Sequence, residues 1–227
     1  MKTIFSHTAR LWPPPFLCYG CKLPTWNGIC TECRQTIRYI HSVLPSPTSE
    51  LVAIAPIQYA FQSTYSLLRN WKEKPGTLLK NILFQLSPKL KAELLARHFQ
   101  FVVPIPQSQA RSWQRGQKSA EVVARYFASE LNLPLYHLLE LKDTDIPRQA
   151  TLQIWERSFA PNPFQLSSKS ATAFFGQKRA RILLVDDLIT SGNTLGKAAE
   201  IIHVALPGAK IYGASLGYRP RMSGTSA

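Results

Sequence analysis

The stretch Arg181–Leu206, RILLVDDLITSGNTLGKAAEIIHVAL, constrains the chain more than any other. Ile182–Val185 is an unbroken apolar run, the pattern of a parallel strand buried on both faces. Asp186 and Asp187 end that run, and a loop of hydroxyls, an amide and one glycine follows, Thr190-Ser191-Gly192-Asn193-Thr194. Leu195, Ala198, Ile202 and Leu206 then recur at helical spacing, which predicts an amphipathic helix stopped by Pro207-Gly208. The order is strand, acidic pair, polar loop, helix.

A loop entering a helix offers unpaired backbone N–H groups and the positive end of the helix dipole, and both suit a phosphate. Thr190, Ser191 and Thr194 can add hydroxyl bonds, and Gly192 permits close approach or positive φ. Asp186 and Asp187, at the strand's carboxyl end, are placed to accept from sugar hydroxyls or to hold a hydrated Mg²⁺, and the Asp187 carboxylate is expected in an open, hydrated crevice. Together these features point to a ribose-5-phosphate group. The competing reading is a plain N-cap loop beside solvated acids. A P-loop is excluded, because G-x-x-x-x-G-K-[ST] occurs nowhere in the chain.

The four cysteines fall within the first 33 residues as Cys18-x2-Cys21-x8-Cys30-x2-Cys33. Two such knuckles match tetrahedral zinc held by four thiolates, with Gly20 and Gly28 where the turns need a permissive backbone. Disulfides are the alternative, but a cytoplasmic chain keeps thiols reduced. Four thiolates leave no open coordination position, so the metal is expected to be structural, and His7 would be a spare ligand.

Formal charge is +14, from 27 Lys+Arg against 13 Asp+Glu, which favours polyanionic partners. Ten bases lie between Arg69 and Lys118 against Glu73 and Glu93, a distribution that suits a folded basic face. No run approaches the ~18 apolar residues of a spanning helix, so no membrane insertion is expected. The first residues carry His7, Arg10 and three prolines and no small-residue cleavage site. No signal peptide is read, and the cytoplasm is expected.

Residues 1–40 read as the zinc module, 41–50 as a linker, 51–220 as an α/β domain and 221–227 as a tail. Leu51–Phe61 suggests an edge strand. Helices are expected from a Ser63 or Thr64 cap through Trp71, over Gly76–Phe84, from Pro88 to His98 and from Ser119 to Leu131. Further strands are expected over Gln100–Ile105, Leu135–Leu141 and Ala209–Leu216. Asp143–Lys178 is punctuated by Pro, Ser and Asn and reads as a hood or lid, with a short helix over Ala150–Arg157. The alternation of strands and helices argues for a parallel α/β sheet.

Val185-Asp186-Asp187-Leu188-Ile189-Thr190-Ser191-Gly192-Asn193-Thr194 resembles the phosphoribosyl-diphosphate (PRPP) motif of type I phosphoribosyltransferases. The layout as a whole is similar to the ComF competence family, which joins a four-cysteine module to a phosphoribosyltransferase-like domain. Leu68-Arg69-Asn70-Trp71-Lys72, Val103-Pro104-Ile105-Pro106 with Arg111 and Arg115-Gly116, and Arg148-Gln149-Ala150 through Arg157 to Asn162 and Phe164 carry that likeness. Two departures stand out. Gln117-Lys118-Ser119 replaces the family's F-N-Q, and Glu73 replaces an aromatic residue.

The resemblance implies a phosphoribosyltransferase-like parallel sheet with a hood, and Mg²⁺-dependent binding of PRPP. Asp186 and Asp187 would hold the ribose diol as the catalytic acids, and Thr190, Ser191, Gly192, Asn193 and Thr194 the 5-phosphate. Arg111, Arg115, Lys72 and Arg148 would serve the pyrophosphate side, where guanidinium forks bind phosphate bidentately. The competing reading of Arg111, Arg115 and Arg148 is solvated surface groups. The family also implies a link to DNA uptake in natural transformation. That leaves a second reading, a competence factor binding single-stranded DNA through Trp71, Trp113 and the basic face, with the PRPP pocket a sensor or vestigial. A third makes the zinc module a docking site for a helicase or pore partner. His41, His98, His137 and His203 are scattered, and no nucleophile–base pair occurs at motif spacing.

Overall fold

In a computed structural model, residues 16–26, 28–39, 53–54, 57–58, 62–73, 85–108, 118–142, 161–168 and 179–218 are described. The expected linker 41–50, the helices over 76–84 and 150–157, most of the hood and the tail 221–227 lie outside them.

Strand β9 (Arg181–Ile189) lies inside the sheet, flanked in parallel by β6 (Phe101–Pro104) and β10 (Lys210–Tyr218). Two short strands, β4 (Ala53–Ile54) and β5 (Ile57–Gln58), run parallel to the far side of β10. Beyond β5 lies β3 (Arg38–Tyr39), antiparallel to it. Each side chain of β9 alternates between two cores. Leu183 and Val185 join Val102, Ala214 and Leu216 on one face, whereas Ile182 and Leu184 join Phe101, Val103 and Ile211 on the other. That double burial explains why the run reads as continuously apolar.

Helix α5 (Asn193–Ala205) covers the second face with Leu195, Ala198, Ala199 and Ile202. The first face receives α2 (Gln62–Glu73), α3 (Pro88–Leu95) and α4 (Ser119–Leu131) through Leu67, Leu68, Trp71, Leu90, Leu94, Val123 and Phe127. Ser87 caps α3, its hydroxyl accepting from the Leu90 N–H, and Pro88 opens the helix where its missing N–H costs nothing. Asn132 ends α4 in the left-handed conformation, φ 53°.

Several boundaries differ from expectation. β9 continues through Asp186 and Asp187 to Ile189, because pairing with β10 holds the backbone extended past the acids. β10 likewise runs to Tyr218 rather than Leu216. Leu135–Leu141 is not one strand: Leu135 bridges Val102, and β7 (Leu139–Leu141) turns away to pair with β8 (Phe164–Leu166). α3 stops at Leu95, short of His98, whose φ of 51° is left-handed. Thr64 is no cap. It is buried within α2, and its hydroxyl donates to the Thr36 carbonyl at 2.9 Å.

That bond belongs to a wider attachment. The cysteine segment comprises the pair β1 (Phe16–Leu17) and β2 (Pro24–Thr25) followed by α1 (Thr31–Gln35). Cys18, Ile29, Cys33 and Ile37 pack in the same apolar cluster as Leu67, Leu68 and Trp71, and Asn70 of α2 donates to the Tyr19 carbonyl. Among the described residues, no helix is long and apolar enough to cross a membrane.

Candidate functional site

The four thiols of Cys18, Cys21, Cys30 and Cys33 converge, their sulfurs all within 4.8 Å of one another. Tetrahedral zinc with Zn–S bonds of about 2.3 Å separates its sulfurs by about 3.8 Å. Cys21 Sγ and Cys30 Sγ stand 3.6 Å apart, close to that spacing. Backbone donors serve two of the sulfurs: the Cys30 N–H reaches Cys18 Sγ at 3.3 Å, and the Cys33 N–H reaches Cys30 Sγ at 3.4 Å, so Cys30 also caps α1.

Burial pushes the Cys18 thiol up, but the backbone N–H groups of Cys21, Cys30 and Gly20 and the Cys21 thiol bring it down to about 6. Burial, and then the crowding of Cys21, Cys30 and Cys18, push the Cys33 thiol well above its ordinary value. Four thiols this close resist joint ionisation unless a cation shares their charge. The set fits, and could hold, a metal ion such as zinc.

The two glycines play different parts, and only Gly28 the one expected. Gly28 does take a positive φ, 72°, but the first knuckle's left-handed residue is Lys22, φ 66°. Gly20 is needed for space. A Cβ there would lie 2.7 Å from Cys33 Sγ and 3.4 Å from Leu67 Cγ. Gly20→Ala is therefore expected to lower metal retention at least tenfold against a competing chelator, with Gly196→Ala, where a Cβ meets nothing within 4 Å, as the neutral control. Equal retention in the two variants would contradict the packing argument.

At the carboxyl end of β9 the two acids separate. Adjacent residues of a strand point to opposite faces. Asp187 turns toward α4 and is only 2 % exposed. Its Oδ2 accepts from Ser119 Oγ at 2.5 Å and from Gln107 Nε2 at 3.0 Å. Gln107 Oε1 also accepts from the Ala120 N–H at 3.4 Å. Lys118, at the N-cap of α4, supplies no side-chain cap. Gln107 therefore caps from outside the helix, and the Asp187 carboxylate holds it and Ser119 beside the helix's positive end. The expected open, hydrated crevice around Asp187 is corrected: α4 and Gln107 enclose it.

Asp186 is half-buried, and its Oδ1 accepts from the Asp187 N–H at 2.8 Å. Thr190 is exposed, Ser191, Asn193 and Thr194 are half-buried, and Gly192 opens α5 with φ 80°. An L side chain rarely tolerates that φ, which is why the loop carries its glycine here. Ser191 Oγ accepts from the Asn193 N–H, the first of α5, at 3.4 Å, and the N-cap residue, Gly192, has no side chain to offer. The structure thus brings Asp186 and residues 190–194 to one edge of the sheet.

Arg111, Arg115 and Arg148 lie outside the described residues, and Lys72 lies in the last turn of α2. Trp71 is 1 % exposed in the first core, so stacking on a nucleic acid is ruled out for it; Trp113 lies outside the described residues. Gln107 went unnoticed in the sequence, where a glutamine following Pro106 carries no signal. Ser119 stood out only as a departure from a family pattern. Compared with models of known protein families and with curated proteins, the chain matches none.

Proposed function

We propose that the chain is a ComF-like, Mg²⁺-dependent PRPP-binding protein of phosphoribosyltransferase type, with a structural zinc site and a role linked to DNA uptake. One observation carries this reading: a parallel strand delivers Asp186 beside a loop that enters α5 with a left-handed glycine at its N-cap. Backbone N–H groups at such an entry favour a phosphate, and Asp186 is the acid offered to the ribose hydroxyls. Ser191, Asn193 and Thr194 line the phosphate side, with Thr190 at the exposed rim.

Mg²⁺ characteristically binds through one or two carboxylates together with substrate phosphates, and Asp186 with the pyrophosphate of PRPP provides that oxygen set. When bound, the ion would neutralise charge on the departing pyrophosphate. The chain's own part is positional. The loop fixes the 5-phosphate, Asp186 orients the sugar, and the acceptor's nitrogen replaces pyrophosphate at C1 of the ribose.

A second reading, PRPP binding without transfer, is favoured by Asp187. Its carboxylate is committed to α4, so the acid pair is not shared by one ligand. Calorimetric titration with PRPP and Mg²⁺, paired with an assay for base-dependent pyrophosphate release, tests both. Asp186→Asn is expected to weaken PRPP binding roughly ten- to a hundred-fold through loss of a charge-assisted hydrogen bond. Wild-type binding without pyrophosphate release selects the sensor reading. No PRPP binding by the wild type removes both.

A further inference from the structure

The amino ends of the central strands gather positive charge on one face of the sheet. Arg181 opens β9 and Lys210 opens β10, and the two are direct cross-strand partners, so their side chains leave the sheet on the same side. Arg97 joins them from the end of α3, its guanidinium 5.2 Å from the ring centroid of Tyr212, two residues along from Lys210. Arg181 Nη1 donates to the Arg97 carbonyl at 2.8 Å, which fastens the two arginines together. Arg179, two residues before Arg181, is exposed.

Like charges directly opposite one another on neighbouring strands are destabilising. Among the described residues no carboxylate lies in ion-pair contact with Arg97, Arg181 or Lys210. Arg97 Nε is moreover a buried donor with no acceptor, and no described acceptor takes a hydrogen bond from the rest of its guanidinium. A buried orphan of this kind is rare and asks for a cause. Its only described compensation is the face of Tyr212.

We propose that Arg97, Arg181 and Lys210 form an anion site that takes a phosphate group of a polyanion, at the end of the sheet opposite Asp186. An anion between the two strand starts removes the repulsion and offers an acceptor to the outer nitrogens of the Arg97 guanidinium. Five strand residues, about 16 Å, separate Arg181 from Asp186, so the site is distinct from the ribose-phosphate loop and does not rest on its assignment. The phosphate can come from a nucleic-acid strand or from free polyphosphate, and one experiment distinguishes them.

Fluorescence anisotropy of a labelled twenty-residue oligo-dT at low salt, with tripolyphosphate as competitor, is measured for wild type, Lys210→Glu and Arg181→Gln. Lys22→Glu, an exposed lysine on the cysteine segment, is the control for diffuse charge. Each edge variant is expected to lose about tenfold in affinity and to show a salt slope shallower by about 0.7 per lost contact, with zinc content unchanged. Loss of oligonucleotide binding identifies a strand as the ligand. Loss confined to tripolyphosphate, measured directly by calorimetry, identifies the free polyanion. Edge variants that behave as wild type for both probes, or a Lys22→Glu loss as large as theirs, overturn the site. Lys210 is exposed, so its variant reports even if Arg181→Gln fails to fold.

Discussion

Zinc-loaded protein treated with a strong chelator is expected to melt roughly 8–16 °C lower, and the loss should involve the whole chain rather than its first forty residues. The magnitude follows from linkage. An ion held at a thousandfold excess over its Kd contributes about 4 kcal/mol, and in a chain of this size each kcal/mol moves Tm by about 2–4 °C. The reach follows from packing. Cys18 and Cys33 lie in one apolar cluster with Leu67, Leu68 and Trp71, and Thr64 and Asn70 of α2 donate to the carbonyls of Thr36 and Tyr19. Loosening the knuckles uncovers that face of the sheet. Elemental analysis should find about one zinc per chain, and Cys33→Ser should lose it and reproduce the chelated melt. Cys21→Ser removes an exposed ligand, so it should lose the metal with less disruption of packing. A chelated protein that melts with the native one would show that the thiols pack without needing an ion.

The second large effect is expected from Asp187→Ala, a loss of about 3 kcal/mol, or roughly 6–12 °C. Removing this carboxylate takes the shared acceptor from Ser119 Oγ and Gln107 Nε2, leaving them only their bonds to each other, and takes a negative charge away from the start of α4. Ser119→Ala should cost less, since Gln107 still reaches both Asp187 and the Ala120 N–H. Because the three groups form one network, Asp187→Ala made on the Ser119→Ala background should cost clearly less than on the wild type. Asp186→Asn provides the contrast, with its effect on ligand affinity and little on melting. Additive costs, or an Asp187→Ala protein of native stability, would return Asp187 to the role of a solvated ligand-binding acid.

These experiments also separate what one dimension contains from what three decide. The spacing Cys18-x2-Cys21-x8-Cys30-x2-Cys33 was legible because ligand convergence within two knuckles is a local matter of turn geometry. So were α4, found over Ser119–Leu131 as its periodicity predicts, and the buried strand beginning at Ile182, since apolar period and length are properties of short segments. The helix after Gly192 was legible for the same reason.

The direction of the two aspartates was not. Read as the end of an apolar run, Asp186 and Asp187 look like a pair sharing one crevice. Pairing with β10 extends β9 to Ile189, and the two-residue period of a strand then sends them to opposite faces. Nothing near Asp187 in sequence foretells that Gln107 and Ser119, 80 and 68 residues away, will enclose it. Trp71 and the edge cations follow the same rule. Amphipathic spacing along α2 cannot say that the cysteine segment will close over its apolar side, and Arg181 and Lys210 become neighbours only through strand register. The sequence by itself determined the cysteine knuckles, α4, the helix after Gly192 and the buried strand before it, because those depend on contacts a few residues apart. Which charges are buried, which are paired and which face a ligand was decided by the tertiary structure, because desolvation depends on what arrives from elsewhere in the chain.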